Sequence, residues 1–305
     1  MTTLRAESDG LTRRAPVVVP LRHPGRIVAG VVLAVIAAQV AYILCTNDRF
    51  GWDVVGHYLF AGRVLHGVWL SIWLTVVSMI AGLVLGVVLA VMRLSANPVA
   101  RGTSWAYVWL FRGTPVLVQL VFWYNLSALF PHIGLSVPFG GPEIWTVSAN
   151  SAITPLVAAI LGLSLNEAAY MAEIIRGGIL SVDAGQSEAA TAFGMTRIKA
   201  LRRVILPQAL RVIAPPTGNE LITMLKTTAL VSTVAVSDLM YTAQQIAAAN
   251  FEVIPLLVAA SLWYLAMVSV LMLGQAQLER RLNRSQVRTP RRRSVAALSR
   301  GSEHV

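Results

Sequence analysis

Charge is scarce in this chain: only 13% of its 305 residues are Asp, Glu, Lys or Arg, about half the share of an ordinary soluble domain. Acid is scarcer still, with 14 Asp and Glu against 25 Lys and Arg and a net charge of +11. Cysteine is almost absent, and the single Cys45 excludes an internal disulfide and any cysteine-cluster metal site. No G-x4-G-K-[ST] phosphate loop occurs, so the chain lacks the backbone cradle and lysine that hold a nucleotide and is not itself an ATPase. His-Glu-x-x-His and G-x-S-x-G are also missing, and the five histidines (His23, His57, His66, His132, His304) are scattered. No catalytic or metal-binding residue is expected.

What is present is apolar sequence, 56% of the chain. It is arranged in runs, which predicts an all-α integral membrane protein with six transmembrane helices. A basic, proline-containing tail (1–27) precedes the first run, Val28 to Cys45. No small-x-small cleavage site follows that run, so it reads as an uncleaved helix and not a signal peptide. Leu65 to Met92 is the second span, with Gly82 and Gly86 spaced for close helix contact. Trp105 to Leu126 is the third, with aromatic residues at both ends and Arg112-Gly113-Thr114-Pro115 about a turn inside; Arg112 is expected to snorkel outward. A Gly- and Pro-rich loop, Ser127 to Ser151, leads to the fourth span, Ala152 to Ile175. There Glu173 stands one turn before Arg176, at ion-pair spacing. Val212 to Ala235 is a poor simple span because it holds Pro215-Pro216, Gly218, Asn219, Glu220 and Lys226. Irregular backbone and charge at membrane depth persist only inside an assembly or against a wet cavity. Val253 to Gly274 is the last span, and a basic tail (284–305) ends the chain.

Basic residues set the orientation. With a cytoplasmic N-terminus, six spans place both tails, the 93–104 linker and the 176–211 loop inside. With the C-terminal tail counted from Gln275, so that Arg280 and Arg281 are included, those segments hold five, eight, two and six of the 25 Lys and Arg residues, and only Arg49 and Arg63 lie outside. The expected topology has both termini in the cytoplasm. The basic residues lie between or beyond apolar runs, so membrane topology accounts for them and nucleic acid is not an expected partner.

The stretch from Arg176 to Leu210 is the only long polar segment between apolar runs. Asp183 and Gln186 read as an N-terminal capping pair, and Gly194 as the stop of a short helix. Thr196 can cap a second helix, expected to end before Pro207.

The spacing in this loop carries a resemblance. Glu188-Ala189-Ala190, three residues, Gly194, nine residues and Val204-Ile205-Leu206-Pro207 resemble the EAA motif of ABC importer permeases, E-A-A-x3-G-x9-I-x-L-P. Val204 in place of isoleucine is the one departure. Phe111-Arg112-Gly113-Thr114-Pro115, with Leu117-Val118-Gln119, is similar to a run of the polar amino-acid uptake permeases. So are Ala169 to Gly178, Asn219 to Ile222 and Lys226 to Leu230. The resemblance covers about 65–281, the five-helix type I importer core, and leaves Val28–Cys45 as an additional first helix.

The resemblance implies a permease subunit that translocates polar or charged amino acids across the cytoplasmic membrane and hydrolyses nothing itself. Separate ATPase subunits would hold ATP and Mg and grip the loop 177–211 at Glu188, Ala189, Ala190, Gly194, Leu206 and Pro207. A second permease copy, identical or not, and an extracytoplasmic solute-binding protein would complete the assembly. Candidate pathway residues are Asn166, Glu167, Asn219, Glu220 and Lys226. Their alternative is an internal polar network, the preferred reading for Glu220 and Lys226. Glu167 lies outside the shared motifs and is the candidate for facing the translocation cavity and biasing it toward cationic or dipolar side chains. The competing reading of the chain is a non-transporting membrane anchor or enzyme whose loop binds another partner.

Overall fold

The computed structural model describes residues 24–136, 141 and 143–283. The expected tails lie almost entirely outside these residues. The described chain falls into two units that divide at Phe50. The first holds α1 (Pro24–Thr46), a 23-residue helix apolar on all faces, and a 3-10 turn at Asp48–Phe50.

The second unit begins with α2 (Trp52–Leu59) and α3 (Gly62–Leu94). Asn97 accepts from the Val99 N–H and, with Pro98 at the first helical position, starts α4 (Pro98–Gly113). Next come α5 (Val116–Tyr124) and the single turn α6 (Leu126–Leu129). An antiparallel hairpin, β1 (His132–Ser136) and β2 (Glu143–Ser148), occupies the segment expected as a loop, and α7 (Ala149–Ala152) closes it. The helix α8 (Pro155–Leu180) follows, capped by Thr154. The polar loop contributes α9 (Ala184–Ala192) and α10 (Arg197–Ala200). Then α11 (Leu206–Thr227), a 3-10 stretch at Thr228–Val234, α12 (Leu239–Asn250) and α13 (Val253–Asn283) complete the unit.

Four of these helices are long and apolar enough to cross a membrane singly, and two bent pairs bring the number to six. The third span is not the single helix expected: α4 and α5 meet at 100°. Pro115 causes the break. It has no N–H to give the Phe111 carbonyl, and it pushes Thr114 into extended backbone. The stop expected before Pro207 does not occur either. Residues 201–205 form a π-helical turn in which the Leu206 N–H reaches the Leu201 carbonyl, and α11 continues from it. The wider turn leaves room for the proline ring, which an α-turn would press against the Arg203 carbonyl. The helix also runs unbroken through Pro215 and Pro216, where irregular backbone was expected.

The core is built on α3 and α8, the most extensive helix contact in the chain. Gly82 and Gly86 supply it. A Cβ at Gly82 would stand 2.7 Å from Glu167 Cβ, and one at Gly86 2.6 Å from Met171 Cβ. Two glycines four apart thus receive two side chains four apart, the close approach that small residues permit.

Candidate functional site

The break in the third span leaves the Phe111 carbonyl without its helical donor, and α8 supplies a replacement. Asn166 Nδ2 donates to Phe111 O at 2.9 Å and lies 3.3 Å from Gln119 Oε1. Gln119 Nε2 in turn lies 2.9 Å from Phe111 O and 2.8 Å from Thr114 Oγ1. An unpaired carbonyl in an apolar surround costs about 1–3 kcal/mol, so these amides hold the kink open at Gly113–Pro115. Beneath it is a cavity of about 530 Å³, lined by α8 at Asn166, Glu167 and Tyr170, by α11 at Glu220 and Thr223, and by Arg112. That is the size range of small-molecule sites.

Two carboxylates face this space. Glu167 is only 4% exposed, and its Oε1 has no hydrogen-bond partner. It is fixed from behind by Gly82, where any side chain would strike it. Glu220 is half-buried on the opposite wall. Arg112 does not simply snorkel: its guanidinium lies over the Tyr170 ring, 5.1 Å from the centroid. The structure therefore assembles Asn166, Glu167 and Glu220 and adds Arg112. The resemblance had reached Arg112 only as part of a motif.

The other two candidates lie elsewhere. Asn219 Oδ1 accepts from Gln275 Nε2 at 2.9 Å, and the same amide lies 3.3 Å from the Pro215 carbonyl, so Asn219 ties α11 to α13. Lys226 is exposed and is not among the cavity-lining residues. Glu220, for which a network role was preferred, lines the cavity, and Asn219 is hydrogen-bonded between helices. The sequence reading gave Asp238, an acid in the segment Val236 to Glu252, no role. It is fully buried, caps α12 through the Tyr241 N–H at 2.8 Å and accepts from the Tyr264 hydroxyl.

The polar loop presents a separate surface. Asp183 accepts from the Gly185 N–H at 2.8 Å and starts α9 as expected, but Gln186 turns away to accept from Gln208 Nε2. Gly194 stops α9 at φ 72°, with its own N–H on the Thr191 carbonyl and that of Met195 on Ala190. This is the left-handed helix ending in which a side chain is strained. Glu188, Ala189, Gly194, Leu206 and Pro207 are exposed, Ala190 is buried, and Phe193 is 84% exposed beside them.

The chain as a whole has counterparts in known proteins. Residues 82–284 match the family model for the inner membrane component of binding-protein-dependent transport systems. The chain belongs to that family. It is 47% identical over 92% of its length, and 87% of the relative's, to the arginine transport system permease protein ArgU of Corynebacterium glutamicum. Against the L-cystine transport system permease protein TcyB of Bacillus subtilis it is 37% identical, over 79% of its length and 95% of TcyB's. A crystal structure of an amino acid ABC transporter with histidines superposes at a TM-score of 0.63 and 33% identity, covering 75% of this chain and 98% of that one.

The fold is thus that of a type I ABC importer membrane domain, and the chain is a transport subunit embedded in the membrane. Hydrolysis of ATP falls to a separate ATPase subunit, and a substrate-binding protein is a further partner of the family. The anchor-or-enzyme reading is set aside.

Proposed function

We propose that this chain is the permease subunit of an ATP-driven importer of amino acids with cationic side chains. The observation that carries the reading is Glu167, a buried carboxylate with an unpaired oxygen on the wall of a cavity large enough for one amino acid. A charge so placed is costly unless it meets a counter-ion. A cationic amino acid offers two positive groups and one carboxylate, matching Glu167, Glu220 and Arg112 in number and sign. The relative ArgU, named for arginine transport, supports the same class.

In this reading two permease copies, identical or not, form the path in the cytoplasmic membrane, with both termini of this chain in the cytoplasm. Two ATPase subunits, carrying ATP and Mg, grip the loop at Glu188, Ala189, Ala190 and Gly194, with Leu206 and Pro207 at its far end. An extracytoplasmic binding protein delivers the cargo.

Uptake by the assembled complex tests the assignment. A charge-assisted hydrogen bond contributes about 1.5–3 kcal/mol, so Glu167→Gln should lower uptake of arginine and lysine relative to glutamate about tenfold or more. Unchanged relative uptake would remove Glu167 from the path.

A further inference from the structure

The central cavity has a neighbour. A second, shallower cavity of about 440 Å³, with exposed Trp105 and Trp109 on its rim, is lined also by Arg93 and Glu173, and it shares Arg112, Gly113 and Tyr170 with the first. Arg112 and Tyr170 line both, with the guanidinium over the ring at 5.1 Å from its centroid. Direction follows from α8. Glu173 is six residues beyond Glu167 toward Leu180, where the polar loop begins, so the second cavity lies about 9 Å nearer that loop at 1.5 Å rise per residue.

Charge on the two sides is also paired. Arg112 is within electrostatic reach of Glu220 in the first cavity and of Glu173 in the second. Glu173 is already engaged: Arg176 donates to it at 2.7 Å, the pair that their spacing predicts, and Arg93 Nε lies 3.7 Å away on the other oxygen. Its charge is therefore neutralised, and among the described residues the Arg112 guanidinium in the second cavity has no salt-bridge partner. Each cavity has the volume for one small solute, and each presents Arg112 to a carboxylate.

We propose that the second cavity is an inner station of the translocation path, taking the amino-acid carboxylate, and that Arg112 held on Tyr170 is the gate between the stations. This rests on the central cavity being the cargo site. The guanidinium moves from the first side to the second with the carboxylate it binds, and the flat face of Tyr170 returns it. A cation–π contact of this kind favours the stacked position about two- to thirtyfold, enough to set which position is populated at rest.

The test uses the complete transporter in proteoliposomes, with its ATPase and binding protein. Tyr170→Leu should keep binding-protein-stimulated ATP hydrolysis but lower uptake per ATP about tenfold, since a gate without its rest contact passes cargo back. Restoring the ring face with Tyr170→Phe should recover most of that ratio. In a Cys45→Ser background, cargo with ATP should slow labelling of a thiol placed by Trp109→Cys, a residue of the second cavity only.

An unchanged ratio in Tyr170→Leu, or an equal loss in Tyr170→Phe, overturns the gate. Labelling indifferent to cargo overturns the inner station. If Tyr170→Leu shifts arginine-to-glutamate preference while leaving the ratio intact, Tyr170 is a cargo contact and the gate is overturned with the central site standing. Should Tyr170→Leu not assemble, Arg112→Lys, which keeps the charge but not the planar stacking, must give the same loss of uptake per ATP. Failure of the central site itself would show separately, as Glu167→Gln without any change in preference.

Discussion

At the scale of single residues, the kink is held by amides rather than by the proline that causes it. Pro115 removes one donor, and Asn166 returns one from another helix at 2.9 Å. Asn166→Leu takes the α8 donor from the Phe111 carbonyl and leaves it Gln119 Nε2 alone, at about 0.5–1.5 kcal/mol for the lost hydrogen bond. Its thermal unfolding midpoint in detergent should drop by several degrees, and more than that of Asn219→Leu, whose site is exposed. An equal drop in the two would mean that the kink needs no such partner. Gly82 acts in the opposite sense, through the absence of a side chain. A methyl there meets Glu167 at 2.7 Å, so Gly82→Ala should displace that carboxylate and shift cargo preference in the direction of Glu167→Gln.

Among helices, what could be read from the sequence was what local chemistry dictates. Asp183 caps α9 and Gly194 ends it because short-range hydrogen bonds decide both. The apolar runs gave the long spans because hydropathy is additive along a helix. What could not be read was set by distant partners. The bend at Pro115, the π-helical turn before Pro207 and the intact helix through Pro215-Pro216 all involve proline, which removes a donor but does not say where the orphaned carbonyl turns. Asp238 was given no role for the same reason. Its partner Tyr264 lies on α13, and the N–H of the next residue, Leu239, donates to Ser71 on α3. The cavity was legible only in part: Glu167 stood out as a charge at membrane depth, whereas Arg112 and Tyr170 meet only in three dimensions. The Gly194 ending carries its own prediction. With φ at 72°, any side chain is strained there by about 1 kcal/mol, and Gly194→Asp adds charge to the docking face. Pull-down of the ATPase should be lost in Gly194→Asp and in Glu188→Lys, while Lys226→Ala, far from the loop in sequence, should leave it intact. Retention in both loop variants would remove these residues from the coupling surface.

For the molecule as a whole, orientation is the property most dependent on the sum of many weak terms. Each Lys or Arg flanking a span biases that segment toward the cytoplasm. The N-terminal tail holds five of them, while the linker, the polar loop and the C-terminal end from Arg280 hold two, six and eight. Only Arg49 and Arg63 oppose them. The bias on α1 and the bias on the remaining spans are therefore separable. Replacing Arg5, Arg13, Arg14, Arg22 and Arg26 with glutamine removes the first and leaves the second. A reporter active only outside the cytoplasm, inserted after Phe50, should be active in the parent and lose activity in a large fraction of the variant molecules. A cytoplasm-dependent fluorescent protein at the C-terminus should stay bright in both, because the later loops keep their charge. A dark C-terminal fusion in the parent would overturn the proposed topology, and with it the placement of the coupling loop beside the ATPase.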